Sequence, residues 1–230
     1  MNILALDTSN RTLSVALLAD ELLLADMTLN IKKNHSITLM PTIDFLMAQV
    51  GWMPADLDRL VVAQGPGSYT GLRIAVATAK VLAQALQIDL VGVSSLASLL
   101  PDERSGIVVP LIDARRNNVY TGFYENGRAV VPDGHRNFEE VLAKLQEMNF
   151  EQLTFVGETT VFAEQIATAF PEAVITPSLP CAYRIGRLGA CLEPVDIDSF
   201  EPCYLKRVEA EENWLKNHEE SDRDDYIKRV

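Results

Sequence analysis

Three groups of residues in the chain are of types that could do chemistry. The first is the turn Gln64-Gly65-Pro66-Gly67-Ser68-Tyr69-Thr70-Gly71-Leu72-Arg73, which follows the apolar run 60–63 and leads into an Ala-rich run ending at Leu86. Glycines there admit positive φ or close backbone approach. Ser68 or Thr70 can cap the following helix, and a helix start behind small residues can cradle an anion on its free amides. The second group is a pair of aspartates, Asp7 and Asp113, each just after an apolar run. Facing each other across a cleft, they could hold Mg²⁺ with a nucleotide or do acid–base work; each could equally cap its own turn. The third is the serine cluster Ser94, Ser95 and Ser98. It lies in no G-x-S-x-G elbow, so helix capping by Ser94 or Ser95 is the role its spacing favours. No Walker A pattern follows the glycine turn. His35, His135 and His218 lie far apart, which argues against a zinc site built from local spacing.

The composition narrows the classes. Of 230 residues 48% are hydrophobic, enough for a core in one or two domains. A net charge of −12 repels a phosphate backbone and argues against tight independent binding of nucleic acid. No apolar run is long enough to span a bilayer, and residues 1–7 lack the basic start of a secretion signal. Cys181, Cys191 and Cys203 form no C-x-x-C pair and read as reduced, mostly buried thiols of a cytoplasmic protein.

The elements that must position these groups read as one unit written twice. In the first half, strands over 3–6, 12–19 and 22–29 precede a helix over 34–50 that stops at Gly51. A strand over 60–63, the glycine turn, a helix over 72–86 and a strand over 90–93 follow. In the second half, strands cover 107–112, 119–124 and 128–131, with an Asn126-Gly127 hairpin turn. Asn137 then caps a helix to about 148, and a strand over 153–156, a helix over 160–169 and a strand over 173–176 complete the set. The order βββαβαβ, with an Asp after the first strand each time, predicts two α/β lobes, 1–104 and 105–208, with a cleft between them and a charged tail over 209–230. Ligands of open α/β sheets collect beyond the carboxyl ends of strands, where Asp7, the glycine turn, Asp113 and Gly157 all fall. Beyond the second lobe's strands, 182–191 reads as a short helix and 200–207 as extended. Residues 209–225 carry many charges around Trp214 and Leu215 and read as a solvated helix or a frayed tail.

The two helices of the first half are apolar on more than one face. In 34–50, Ile37, Leu39, Met40, Ile43, Phe45, Leu46, Met47 and Val50 exceed the single stripe that covering a sheet requires, and Pro41 is expected to kink it or mark a change of pitch. In 72–86 the polar residues Arg73, Lys80, Gln84 and Gln87 fall on a narrow line, and Ala75, Ala79 and Ala83 form a stripe that permits close helix approach. Either an internal core or a docked protein covers the extra faces.

Residues 3–9 (ILALDTS), 64–74 (QGPGSYTGLRI), Ala77-Thr78-Ala79-Lys80, 112–117 (IDARRN) with Val119-Tyr120, and 201–213 (EPCYLKRVEAEEN) together resemble the bacterial TsaB family over most of the chain. Ala75 and Val81 depart from it, standing where glycine is usual. The resemblance implies an actin-like, sugar-kinase-like (ribonuclease-H-like) fold, in keeping with the duplicated order. It also implies a non-catalytic paralogue of TsaD, the enzyme that transfers a threonylcarbamoyl group to an adenosine beside the tRNA anticodon. TsaD-like enzymes hold a metal through H-x-E-G-H just after the strand equivalent to 90–93. Here that place reads Ser95-Leu96-Ala97-Ser98-Leu99, and a leucine side chain has no lone pair to give a metal.

Pairing with TsaD through the two first-half helices is implied as well, with self-association through the same surface when the chain is alone. The ATPase TsaE joins the pair, tRNA is reached only through a partner, and ATP or ADP, if used, belongs to the complex. Helical spacing gives His35, Leu39, Ile43, Leu46, Leu72, Val76 and Lys80 as contact candidates, with charge at Ile43 or Val76 expected to break the complex without unfolding the lobe. Asp7, Ser9, Gly65, Gly67 and Ser68 are the nucleotide-binding candidates. Against this scaffold reading stand two others: an active enzyme of the same fold, either an ATP-dependent small-molecule kinase or a TsaD-type metal-dependent transferase or peptidase, and a free-standing nucleotide-binding module.

Overall fold

The computed structural model describes residues 1–31, 34–102 and 105–206. The tail expected over 209–230, with Trp214 and Leu215, lies outside them. Strands β1 (Asn2–Asp7), β2 (Leu13–Ala19) and β3 (Leu22–Leu29) are followed by helix α1 (His35–Val50), β4 (Arg59–Gly65), α2 (Tyr69–Leu86) and β5 (Asp89–Ser94). The second half repeats the series as β6 (Ile107–Asp113), β7 (Asn118–Glu125), β8 (Arg128–Asn137), α3 (Phe138–Gln146), β9 (Leu153–Gly157), α4 (Ala163–Ala169) and β10 (Val174–Pro177). Helix α5 (Ala182–Ala190) comes last. The five-stranded sheets have orders β3-β2-β1-β4-β5 and β8-β7-β6-β9-β10, the same topology twice. In each, the first strand runs antiparallel to the second and parallel to the fourth, with Ala5 opposite both Ala16 and Val61 in the first sheet.

Alternation along the strands divides the core. Leu4, Leu6, Val15, Leu17, Leu60 and Val62 face out under α1 and α2. Ile3, Ala5, Ala16, Leu18, Val61 and Val91 face in and join Val108, Ile112, Tyr124 and Val156 of the second sheet in one continuous cluster. Helix α5 is wedged into this inner cluster through Ala182 and Ile185. It lies so close that a Cβ on Gly189 would stand 2.5 Å from a Val61 methyl. Sequence order places 182–206 with the second half, yet α5 packs on β1, β2 and β4 of the first. The segment after it returns there too, Val195 N–H donating to the Leu90 carbonyl and Phe200 lying in the outer core.

Several local expectations need correction. Strand β8 continues past Val131 to Asn137 through Pro132, which an edge strand tolerates because one side of it has no ladder to satisfy. The helix expected over 160–169 is a 3-10 turn, Thr160–Phe162, followed by α4. Continuity of helix α1 through Pro41 is compatible with a bend there; the proline is on the exposed side, where the carbonyl left without its donor can turn to water. The stripe Ala75, Ala79 and Ala83 is buried in the core over the sheet, so the close approach it permits is of α2 to the strands. Cys191 and Cys203 are exposed and Cys181 half-buried, all three free, so the thiols are not mostly buried.

Arg59 holds α5 against the first sheet. Its Nη1 donates to the carbonyls of Gly189, Ala190 and Leu192 at 2.9–3.1 Å, and its Nη2 meets Asp89 Oδ2 at 2.8 Å. A guanidinium here both satisfies orphan carbonyls and complements the negative end of the helix. Arg59→Ala is expected to cost about 2–4 kcal/mol of folding free energy, read as a lowered urea midpoint; an unchanged midpoint would show that α5 is held by apolar packing alone.

Candidate functional site

The nucleotide-binding candidates do come together, but they are turned on one another. Asp7 closes β1 and its Oδ1 accepts from the Ser9 amide at 2.8 Å. The Ser68 amide, at the start of α2, donates to the Ser9 carbonyl, and Ser68 Oγ caps the helix by accepting from Gly71. Gly65 N–H donates to Ser95 Oγ at 3.1 Å. The glycines are required by this packing: a Cβ on Gly67 would meet the Ser9 carbonyl at 2.1 Å, and one on Gly71 the Thr8 carbonyl at 2.0 Å. Asp7 and Ser9 are fully buried. Of the amides expected to cradle an anion, that of Ser68 is spent on the β1–β2 loop, that of Gly71 on the Ser68 hydroxyl and that of Gly65 on Ser95, and neither the Asp7 nor the Ser9 side chain reaches the surface.

Asp7 and Asp113 each form a local turn, Asp113 Oδ1 accepting from the Arg115 amide at 2.8 Å. The capping alternative therefore describes both. Among the described residues no group of three or more His, Cys, Asp or Glu side chains could hold a metal ion. At the places that resemblance aligns with metal-binding histidines, Ser95 and Leu99 are buried in the inner core region. Ser95 bonds the Gly65 amide, and Leu99 lies against Gly157. Ser94 is the capping serine, accepting from Leu96 N–H, and its hydroxyl donates to Asp133 Oδ2 at 2.5 Å. The Ser94 bond ties the two sheets together, and Tyr124, in the same sheet as Asp133, donates to its other oxygen, also at 2.5 Å.

The contact candidates also need correction. Leu39, Ile43, Leu46 and Val76 are at most 4% exposed, because they are the face with which α1 and α2 cover their own sheet, and Leu72 is fully buried as well. His35 is half-buried and its Nε2 donates to the Asn10 carbonyl at 2.9 Å. Lys80 Nζ donates to the carbonyls of Asp198 and Phe200 at 3.0 and 2.8 Å. Helical spacing selected the strongest apolar stripe, and the strongest stripe is the one the core uses.

The second apolar face is made of other residues. Ile37, Met40 and Phe45 of α1, and Tyr69 and Val81 of α2, are 41–66% exposed on the outward side of the pair. Between the helices lies a groove of about 470 Å³, lined by Leu39, Met40, Tyr69, Arg73, Ile74 and Ala77 among others. At its edge Arg73 stands 4.2 Å over the Tyr69 ring and donates to the Tyr204 hydroxyl at 3.1 Å, and the two tyrosine rings lie 4.8 Å apart. The outward phase was readable from Pro41 and Asp44, the residues of α1 least suited to a core.

The TsaD family, tRNA N6-adenosine threonylcarbamoyltransferase, matches residues 23–214. The tRNA threonylcarbamoyladenosine biosynthesis protein TsaB of Bacillus subtilis is 38% identical over 94% of this chain and 99% of its own length. TsaB of Escherichia coli is 34% identical, covering 94% of this chain and 98% of its own. A Pseudomonas aeruginosa crystal structure, of an uncharacterized protein with similarity to peptidase YeaZ, superposes with a TM-score of 0.74 at 28% identity, over 89% of this chain and 99% of that one. The fold is that of actin-like α/β proteins, two lobes of the same topology. The chain belongs to the TsaB family.

Burial pushes the Asp7 carboxyl above the ordinary carboxylate range, and the Ser9 and Ser98 groups that favour its ionised form offset this only in part. A carboxyl that holds its proton more tightly when folded adds stability below the unfolded value, and that increment is lost as pH rises through the folded one. Asp7→Asn keeps an oxygen for the Ser9 amide and removes the ionisation. Its melting temperature is therefore expected to gain on that of the native chain as pH rises from about 4 to about 7; a constant difference across that range would contradict the shift.

Proposed function

We propose that the chain is a non-catalytic partner of a TsaD-type threonylcarbamoyltransferase in the biosynthesis of tRNA threonylcarbamoyladenosine, docking through the outward faces of α1 and α2. A second copy of the chain takes the same face when the transferase is absent. The ATPase TsaE joins the assembled pair, tRNA is reached through a partner, and the role is a cytoplasmic one. The observation that carries this reading is the double duty of α1 and α2: each helix fills the core with one face and keeps large apolar side chains in water on the other. Exposed apolar area of this kind favours burial by association at roughly 25 cal/mol per Å² before the costs of docking.

The non-catalytic part of the reading has separate support. Ser95 and Leu99 are committed to internal packing, and a buried leucine cannot ligate a metal. Asp7, the carboxylate best placed by sequence for cleft chemistry, is fully buried with its Oδ1 on the Ser9 amide. A net charge of −12 fits a subunit that leaves the grip on tRNA to another chain.

Outward and inward positions on the same helix discriminate. Phe45→Glu combined with Val81→Glu, at positions 49% and 65% exposed, is expected to leave the melting curve close to native while weakening co-elution with TsaD by about tenfold or more. Ile43→Glu, at a position 3% exposed, is expected to prevent folding, because it buries an unpaired carboxylate. An intact complex with the outward double variant would remove this face from the interface. Bound metal together with tRNA modification by the purified chain alone would instead favour the enzyme reading.

A further inference from the structure

Helices α1 and α2 carry one acidic residue, Asp44, and, besides His35, two basic ones, Arg73 and Lys80. Lys80 is spent inside the lobe, on the Asp198 and Phe200 carbonyls. Asp44 and Arg73 are exposed. Arg73 stands on the groove wall, stacked on Tyr69 and fixed by its Nε–H on the Tyr204 hydroxyl. A guanidinium has five N–H donors, yet no carboxylate among the described residues forms an ion pair with this one. Asp44 follows Met40 by one helical turn, and Met40 lines the same groove. Among the described residues Asp44 too has no ion pair.

We propose that when two copies of the chain meet through this face, Arg73 of each receives Asp44 of the other, and that this reciprocal pair sets the register of the contact. A two-fold contact is self-complementary, so what one copy offers the other offers back. A face with one unpaired cation and one unpaired anion can therefore satisfy both, twice over. The alternative is costly, because covering Met40 and the groove takes Arg73 out of water as well, and a charge covered without a partner opposes docking. Arg73 is also prepared for the role. Its stacking on Tyr69 and its bond to Tyr204 already restrict the side chain, so little freedom is lost on docking, and its planar fork matches the two oxygens of a carboxylate. A net charge of −12 makes two copies repel at long range. Apolar area draws the faces together without choosing a register, and the cation on the groove wall gives an acidic copy a place to be received. The pairing rests on the reading that a second copy takes the outward face of α1 and α2, and it adds to that reading which side chains meet.

Charge reversal in the full chain, followed by sedimentation, tests the pairing. Arg73→Glu sets carboxylate against carboxylate at both contacts of a dimer, and Asp44→Arg sets guanidinium against guanidinium. Each variant alone is expected to self-associate about tenfold or more weakly than the native chain. An equimolar mixture of the two is expected to recover a dimer, because in a mixed pair both contacts again join opposite charges. Loss of a merely structural role at either position would not be repaired by mixing. If Arg73→Glu melts early through its lost tyrosine contacts, Asp44→Arg and Asp44→Asn carry the test, with reversal expected to weaken association more than neutralisation does. A mixture that stays monomeric overturns the inference, as does either reversal that dimerises like the native chain, or a native chain that stays monomeric at every concentration. Phe45→Glu combined with Val81→Glu separates the pairing from the reading beneath it. If that variant is monomeric while the charge reversals dimerise normally, the face stands and the pair falls; if it dimerises like the native chain, the face itself falls.

Discussion

A helix laid on a sheet has to bury one apolar face, and everything proposed for this chain follows from α1 and α2 carrying two. Leu39, Ile43 and Leu46, with Val76, are consumed by the sheet below. Ile37, Met40, Phe45 and Val81 lie on the opposite side and stay exposed, with Tyr69 beside them partly covered by Tyr204. Fold and function thus draw on different residues of the same two helices. A substitution at an inner position tests stability, and only one at an outer position tests association.

The glycine turn fixes where that outer face stands. The Ser68 amide on the Ser9 carbonyl and the fit of Gly67 and Gly71 against the β1–β2 loop seat the first turn of α2 directly on the end of β1. Asp7, at the end of that strand, is fully buried, and burial raises the pKa of its carboxyl. A turn of the kind that cradles phosphate in other proteins here works as a backbone-to-backbone joint. Between the two sheets, the shared inner core and the bond from Ser94 to Asp133, which Tyr124 also holds, keep the halves together.

Much of the fold was legible in the sequence because the signals were local. Asn34 and Gly51 cap α1, and Asn126-Gly127, both at positive φ, turn the β7–β8 hairpin as their types require. The duplicated element order gave both sheets. What was not legible depended on tertiary placement. Residues 182–206 follow the second half in sequence but pack on the first, a long-range choice made by Gly186 and Gly189 against β1, β2 and β4. The outward phase of α1 was misjudged because spacing measures how strong an apolar stripe is and not which side the sheet lies on. The glycine turn was read correctly as a close-approach site, but its neighbour is the chain's own backbone.

Hydroxyl-radical footprinting of the full chain with and without saturating TsaD addresses the central claim most directly. Met40, on the outward side of α1 and 45% exposed, is predicted to lose most of its oxidation in the complex, while Leu192, 46% exposed and distant in sequence from the helix pair, keeps its own. Undiminished oxidation of Met40 in a complex shown to be fully assembled would contradict the account.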